Sequence, residues 1–401
     1  MENVSTMVRR VLERTVVVDM HTHLSPPSFQ KVALWGIDEL VTYHYLEAEL
    51  FRSSDITPQR YFSLSKPQQA DEIWKALFIR NTPVSEACRG VIAVLRAFDL
   101  PTQAPDLRQA REFFRAQRPE KHFHRVLDLA GVSHVVMTND PLDPNEAPYW
   151  ERPQTDSRFL AALRLDRVLD EWPQRFETVA AGRKFLDEWI ARMNPVYLAC
   201  SLRDTFTFPD DGPLTPLLRD AVLPVCREHN LPLALMIGVR RQVNPALGSA
   251  GDASGAADLH AVENLCRTFP ENRFLFTILS RENQHELCVY ARKFPNLMPF
   301  GCWWFLNNPS IVEEMTRERV EMLGTSFIPQ HSDARILEQV IYKWRNTRRT
   351  LAECLTRTYT LLEEDGRPVT EAEVERDVTR MLRENFWATV GSRDHVLTHQ
   401  T

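Results

Sequence analysis

The sequence predicts an α/β protein, a (β/α)8 barrel of the TIM type with a helical insertion after its first strand and extra helices at its C-terminal end. Eight short apolar segments rich in β-branched residues occur along the chain, and helical patterns separate most of the later ones. This alternation favours parallel strands joined by helices. The length of 401 residues suits one such barrel with insertions.

Each predicted strand is an apolar run that ends where polar or turn-forming residues begin. The eight strands cover residues 16–19, 133–138, 159–164, 196–201, 233–238, 273–279, 297–303 and 326–330. Between the later strands, apolar residues recur with the period of a helix. The helices so predicted cover residues 180–192, 216–229, 256–268, 282–294, 310–323 and 335–345.

The first two predicted strands are separated by a long segment, residues 25–130. This segment has helical patterns at 71–79, 85–98 and 107–117, with prolines between them, and is too long and too apolar for an irregular loop. We therefore predict a helical insertion that covers the C-terminal face of the barrel. The barrel itself is predicted to consist of residues 1–24 and 131–401.

The C-terminal part of the chain predicts two further helices after Thr350. Gly366 and Pro368 break the helical pattern between them. Thr370 and Glu373 have the spacing of a capping box, in which each side chain accepts a hydrogen bond from the other residue's backbone N–H.

The composition favours a folded protein that acts on a small molecule. Apolar residues make up 43% of the chain and charged residues 25%, and the net charge of −6 gives no reason to expect nucleic acid or an anionic membrane as partner. The N-terminus lacks a signal-peptide core, and no run of 18 apolar residues exists. Seven scattered cysteines without CxxC spacing are typical of reduced thiols in the cytoplasm. A homo-oligomer is compatible with a large barrel.

Two histidines, His21 and His23, follow the first predicted strand. Residues two apart on a strand share a face, so both imidazoles point the same way. Function in such barrels lies at the C-terminal ends of the strands, and the last strand, which leads to Asp333, neighbours the first. Two imidazoles and one carboxylate form an open, catalytic type of metal site, which zinc suits best and which manganese or iron(II) would also fit. His331, on the same face as Asp333, is a fourth ligand, a partner of a ligand or barrel filling.

An ordered set of motifs makes the chain resemble the uronate isomerases, which belong to the amidohydrolase superfamily of metal-binding (β/α)8 barrels. The motifs are DMHTHL at 19–24, HY at 44–45, TNDP at 138–141, Arg164 after the third strand, GVRRQVN at 238–244, GCWWF at 301–305 and SDAR at 332–335. The resemblance implies that the protein isomerises a hexuronate, such as D-glucuronate or D-galacturonate, from aldose to ketose. The reaction would pass through a cis-enediol.

The resemblance also implies roles for single residues. One divalent metal, most simply Zn²⁺, would be held by His21, His23 and Asp333. The catalytic candidates, with the base left open among the first three, are Asp333, Tyr45, His44 and Arg335. The candidate substrate contacts are Arg164, Arg335, His44, Tyr45, Trp304 and Arg240.

Structural roles are the alternative for several of these residues. Arg164 is spaced to pair with Asp166 or Asp140, Arg335 can begin a helix, and Trp304 can form the wall of the pocket. His122 and His124 lie in a helical stretch, where residues two apart do not share a face, so we do not assign them to a metal.

The chain departs from the family at the fifth strand, where Met236 stands at the place of an expected histidine. The sixth strand has no terminal histidine either, since His285 lies inside the next helix. These absences argue against a two-metal hydrolase. Two other functions stay open: hydrolysis of a sugar-acid lactone or ester by metal-activated water, and non-catalytic binding of a sugar acid.

Overall fold

The computed structural model describes residues 3–391, whose parallel strands form one sheet in chain order. A two-residue strand, β6, pairs antiparallel with the end of β5 and lies off this path. The strands are β1 (Val17–Thr22), β2 (Val132–Asn139), β3 (Phe159–Arg164), β4 (Tyr197–Arg203), β5 (Leu233–Arg240), β6 (Ala253–Ser254), β7 (Phe274–Ile278) and β8 (Leu297–Pro299).

The eighth predicted strand closes the sheet into a barrel, although only Ile328 within it forms a regular bridge. Ile328 N–H donates to the Pro299 carbonyl at 3.1 Å, and Gly301 N–H donates to the Ile328 carbonyl at 2.9 Å. On the other side, Asp333 N–H donates to the His21 carbonyl at 3.1 Å. The (β/α)8 fold class is thereby confirmed, with His21 and Asp333 at the same end of the barrel.

Two apolar cores follow from the alternation of side chains along the strands. Val18 and Met20 of β1 pack inside the barrel, whereas Val17 packs in the outer layer between strands and helices. Because both faces of each strand are covered, the strands read as nearly continuous apolar runs. This is why their positions are visible in the sequence.

Helices fill the segment between β1 and β2 and share the outer core with the barrel. They are Pro27–Val32, Ile37–Val41, His44–Ser53, Pro58–Phe62, Lys66–Ile73, Trp74–Arg80, Glu86–Ala97, Arg108–Arg115 and Pro119–Ala130. His122, which we did not assign to a metal, lies fully buried with Nε2 2.8 Å from Glu338 Oε1. Glu338 Oε2 accepts the Gly36 N–H at 3.0 Å, so this carboxylate connects three segments of the fold.

Further helices precede β1, alternate with the later strands and complete the C-terminal part. They are Val4–Arg14, Ala147–Glu151, Asp166–Asp170, Trp172–Arg175, Val179–Met193, Leu214–Leu217, Leu218–Val222, Leu223–Glu228, Pro245–Gly251, His260–Thr268, Arg281–Asn283, Gln284–Ala291, Trp304–Leu306, Pro309–Leu323, Gln339–Glu364, Glu371–Thr379, Arg380–Glu384 and Asn385–Val390. The capping box of Thr370 and Glu373 is present. The helix predicted from 335 begins later, because the Gln339 side chain accepts the N–H groups of Arg335 and Ile336.

Two expectations from the sequence concern the state of the cysteines and the presence of membrane-spanning helices. All seven cysteines are free and buried, as expected of reduced thiols. Among the helices of residues 3–391, none combines the length and the apolar character needed to span a bilayer.

Gly301, two residues after the end of β8, provides a test of the packing where the barrel closes. Its φ is +60°, and a Cβ there would lie 2.0 Å from His331 Cδ2. Gly324 has a similar φ of +62° but has no atom within 4 Å of a Cβ. We expect Gly324→Ala to lower the free energy of unfolding by about 1–3 kcal/mol through backbone strain alone, because a φ of +62° with a ψ of −116° is a conformation that residues with a Cβ rarely adopt. Gly301→Ala should lose about 1–3 kcal/mol more through overpacking.

Urea unfolding of both variants measures this difference. Gly324→Ala is the matched control, because it carries the same unfavourable φ without the clash. Equal losses for the two variants would show that His331 does not restrict position 301.

Candidate active site

His21, His23 and Asp333 meet at the C-terminal end of the barrel. His21 lies in β1 and His23 directly follows it. Asp333 follows the last strand of the barrel, the segment predicted at residues 326–330, and has a φ of +50°. Asp333 Oδ1 lies 3.2 Å from His23 Nε2 and 3.7 Å from His21 Nε2. One ligand atom from each residue lies within 4.8 Å of the others. The geometry brings together three side chains that could hold a metal ion, and we call them the candidate metal-binding cluster.

The electrostatics of this cluster suit a cation. Burial lowers the pKa of His23 to about 4 and that of His21 well below its usual value, so both imidazoles are neutral at pH 7. Asp333 Oδ1 is buried and accepts no hydrogen bond from any described residue. A divalent cation would satisfy this oxygen, so the donor set fits the implied metal.

Asp19 supports the loop that carries Asp333. Its Oδ1 accepts the Ser332 N–H at 2.9 Å, and its Oδ2 accepts the Trp344 Nε1–H at 2.8 Å. The carboxyl group is fully buried, which raises its pKa to about 6. Its place in the DMHTHL motif is therefore explained by a supporting role that was not assigned from the sequence.

Arg164 combines a structural and a pocket position. Its Nε and Nη2 donate to the two carboxylate oxygens of Asp166 at 2.8 and 3.1 Å, which is one of the predicted pairings. The side chain still lines the pocket above the metal-binding cluster, as does that of Arg335. Burial disfavours the charged guanidinium, but Asp166 outweighs it and raises the pKa of Arg164.

The structure does not bring Arg240 to this pocket, and its neighbour Arg241 lies there instead. The Arg240 side chain is 56% exposed and lies 3.7 Å from Asp204. Arg241 places its guanidinium carbon 5.6 Å from the centre of the Trp304 ring and donates to Asp252 at 2.7 Å. Successive residues at a strand end point in different directions, which is why Arg241 lines the pocket and Arg240 does not.

His44 reaches the pocket from the helix His44–Ser53. Trp304 Nε1–H donates to His44 Nε2 at 3.3 Å. Trp304 therefore orients the imidazole and also forms part of the pocket wall. Burial and the charge of Arg335 lower the pKa of His44 to about 3, which keeps it neutral. The Tyr45 ring packs edge-on against His44 and stacks on Phe305 at 6.3 Å, outside the described lining of the pocket. Burial raises the pKa of Tyr45 well above 10.

Comparison with known proteins places this geometry in a family. No protein-family model and no curated protein matches the sequence. Among solved structures, a uronate isomerase from Bacillus halodurans C-125 is 50% identical, with 99% of each chain covered and a TM-score of 0.96. The chain belongs to the uronate isomerase family. The resemblance inferred from the motifs is thereby confirmed.

More distant uronate isomerases share the fold of this family member. A uronate isomerase from Thermotoga maritima is 16% identical, with 98% of each chain covered and a TM-score of 0.77. A glucuronate isomerase from Caulobacter crescentus is 14% identical, with 99% of this chain and 96% of the other covered and a TM-score of 0.74.

Several pocket residues of this uronate isomerase family member were not assigned from the sequence. Besides Arg241, the pocket is lined by Thr138, Ser201 and Met236. Met236 lies in the middle of β5 and occupies the position where the family histidine was expected. A cavity of about 580 Å³ adjoins the pocket and shares Arg164, Ser201 and Arg241 with it.

His331 lies beside the metal-binding cluster and outside it. Its ring centre is 5.0 Å from that of His21, and neither ring nitrogen has a hydrogen-bond partner within residues 3–391. Among the described residues, the group of side chains that could hold a metal ion consists of His21, His23 and Asp333 and does not include His331. Of the three predicted roles, packing against His21 agrees best with this position.

Proposed function

We propose that this chain catalyses aldose–ketose isomerisation of a hexuronate, with D-glucuronate and D-galacturonate as candidate substrates. The observation that supports this most directly is a pocket lined by the candidate metal-binding cluster and by three arginines, Arg164, Arg241 and Arg335. Neutral sugars do not need such positive charge, whereas a carboxylate binds guanidinium groups in a planar, two-point way.

The reaction requires a base that reaches both C1 and C2 of the sugar, because one proton moves between them. We assign this role to Asp333, whose buried Oδ1 accepts no hydrogen bond within residues 3–391 and would be free for proton transfer if its bond to the metal loosened. His44 is the second candidate: it is neutral, lies in the pocket and is oriented by Trp304. Tyr45 is less well placed because it is not among the residues that line the pocket, and its ring packs edge-on against His44.

The proposed site holds one divalent metal, with zinc as the first choice, at His21, His23 and Asp333. Bound there, the ion would polarise substrate oxygens and hold the developing negative charge. Arg335 would stabilise charge on the enediolate, and Arg164, fixed by Asp166, would bind substrate anion. The buried free cysteines agree with a cytoplasmic enzyme.

The test is incubation of the purified protein with D-glucuronate and with D-galacturonate in deuterated water, followed by proton NMR. We expect the ketose to appear, with deuterium in the sugar wherever the migrating proton exchanges with solvent. Release of an acid from a sugar-acid lactone or ester, without ketose, would establish the hydrolase instead. Binding of both uronates without any turnover would establish the non-catalytic alternative.

Arg241 provides a test of how the pocket recognises the anion. We expect Arg241→Met to lower kcat/KM for the uronate by roughly 10- to 100-fold, because a charged hydrogen bond contributes about 1.5–3 kcal/mol. The loss should fall mainly on KM, since binding of a non-reacting group affects substrate and transition state alike. Arg240→Met is the matched control, one residue away and outside the pocket. Equal kinetics for the two variants would remove Arg241 from substrate binding.

A further inference from the structure

A hydroxyl group stands behind His23 on the side away from Asp333. Thr138 Oγ1, in β2, lies 2.8 Å from His23 Nδ1 and 3.0 Å from the Thr22 carbonyl oxygen. The carbonyl group can only accept, so the single hydroxyl hydrogen must point to it. The hydroxyl oxygen is then left as an acceptor, and His23 Nδ1 must carry the ring proton and donate it.

The same arrangement is repeated at His21, with a residue from another strand. The Tyr197 hydroxyl, from β4, donates to the Met20 carbonyl at 2.6 Å and lies 3.3 Å from His21 Nδ1. In both cases the carbonyl belongs to the residue directly before the histidine. The Tyr197 side chain is fully buried, and Thr138 is 9% exposed. Two unrelated side chains therefore impose the same proton position on two rings that share a strand face.

We propose that Thr138 and Tyr197 are positioning residues that hold both imidazoles as Nδ1–H tautomers, with both Nε2 lone pairs directed at the cation position. A neutral imidazole has one N–H, so fixing it at Nδ1 leaves Nε2 free as a ligand. The contacts of Asp333 Oδ1 with the two Nε2 atoms are then contacts between acceptors. This explains why that buried oxygen has no donor among the described residues.

This inference rests on the metal site proposed above and is independent of the reaction. The first test uses the metal-free wild-type enzyme with ¹⁵N-labelled histidine and records two-bond nitrogen–proton NMR spectra at neutral pH. His21→Ala and His23→Ala samples assign the two rings. We expect both rings as Nδ1–H tautomers. An Nε2–H tautomer at either ring overturns the proposal for that ring, whatever the enzyme does with sugars.

The second test measures Zn²⁺ affinity by competition with a chromophoric chelator. We expect Thr138→Val and Tyr197→Phe each to weaken zinc binding by roughly 10- to 100-fold, as typical for partners that orient a ligand. Thr138→Ser keeps the hydroxyl and should restore affinity. The matched control is Thr277→Val, which removes a buried barrel hydroxyl that has no hydrogen-bond partner within the described chain.

The outcomes separate this proposal from the metal site itself. If wild-type protein binds no zinc, the metal site fails, and the NMR spectra alone still decide the tautomers. If wild type binds zinc and Thr138→Val and Tyr197→Phe bind it as tightly as Thr277→Val does, the positioning role is overturned. A purely structural role would lower thermal stability without changing the tautomers or the zinc affinity.

Discussion

Asp333→Asn should nearly abolish isomerisation while leaving the barrel folded. The substitution removes the proposed base, and losing such a group costs about 10²–10⁴-fold in rate. It also replaces the only carboxylate of the metal-binding cluster with a neutral amide, so Zn²⁺ affinity should fall. Asparagine tolerates the φ of +50° at this position, which keeps the backbone of the loop unchanged. Steady-state kinetics and the chelator competition measure the two losses.

The control for this change is Asp204→Asn, which removes a carboxylate that lies 3.7 Å from Arg240, outside the pocket. Circular dichroism should show the same helix content for both variants. Retention of kcat in Asp333→Asn, with metal loaded at saturating concentration, would transfer the role of base to His44. Loss of turnover in His44→Gln but not in Asp333→Asn would establish that transfer.

The fold is largely predictable from the sequence because its strands are buried on both faces. Each strand reads as a short apolar run, and parallel pairing requires a helix between successive runs. The ends were less predictable. The strand predicted to run to Trp303 stops at Pro299, because Gly301 turns the chain with a positive φ. The last strand of the barrel, predicted at residues 326–330, forms only one regular bridge, at Ile328. The pattern of apolar residues does not indicate that its pairing is so short.

The candidate site was predictable where residues follow strand ends and unpredictable where distant residues support them. His21, His23 and Asp333 converge because a closed barrel makes its first and last strands neighbours. The sequence does not reveal which way a side chain turns after a strand, so it could not show that Arg241 lines the pocket and Arg240 does not. Tyr197 was missed for a different reason: it begins β4, and its long side chain reaches the Met20 carbonyl through the barrel interior.

Arg335→Met should separate turnover from metal binding, because the two are expected to change in opposite directions. After burial, the charge of Arg335 has the largest effect in lowering the pKa of both His23 and His44. The same positive field opposes a bound cation, so removing it should tighten Zn²⁺ binding by about 1 kcal/mol, or roughly fivefold. The rate should nevertheless fall by roughly 10²–10³-fold, since a donor to the developing enediolate charge is lost.

Comparison with Asp333→Asn distinguishes the two roles, because that variant should lose both turnover and Zn²⁺ affinity. Arg335→Lys is the conservative control: it keeps the positive charge, so its Zn²⁺ affinity should match wild type, while its point charge cannot replace the two-point guanidinium contact. If Arg335→Met instead weakens zinc binding, its side chain supports the loop of Asp333 rather than the substrate. If kcat is unchanged in both arginine variants, other groups stabilise the charge on the enediolate. Arg164 would then be the next residue to substitute.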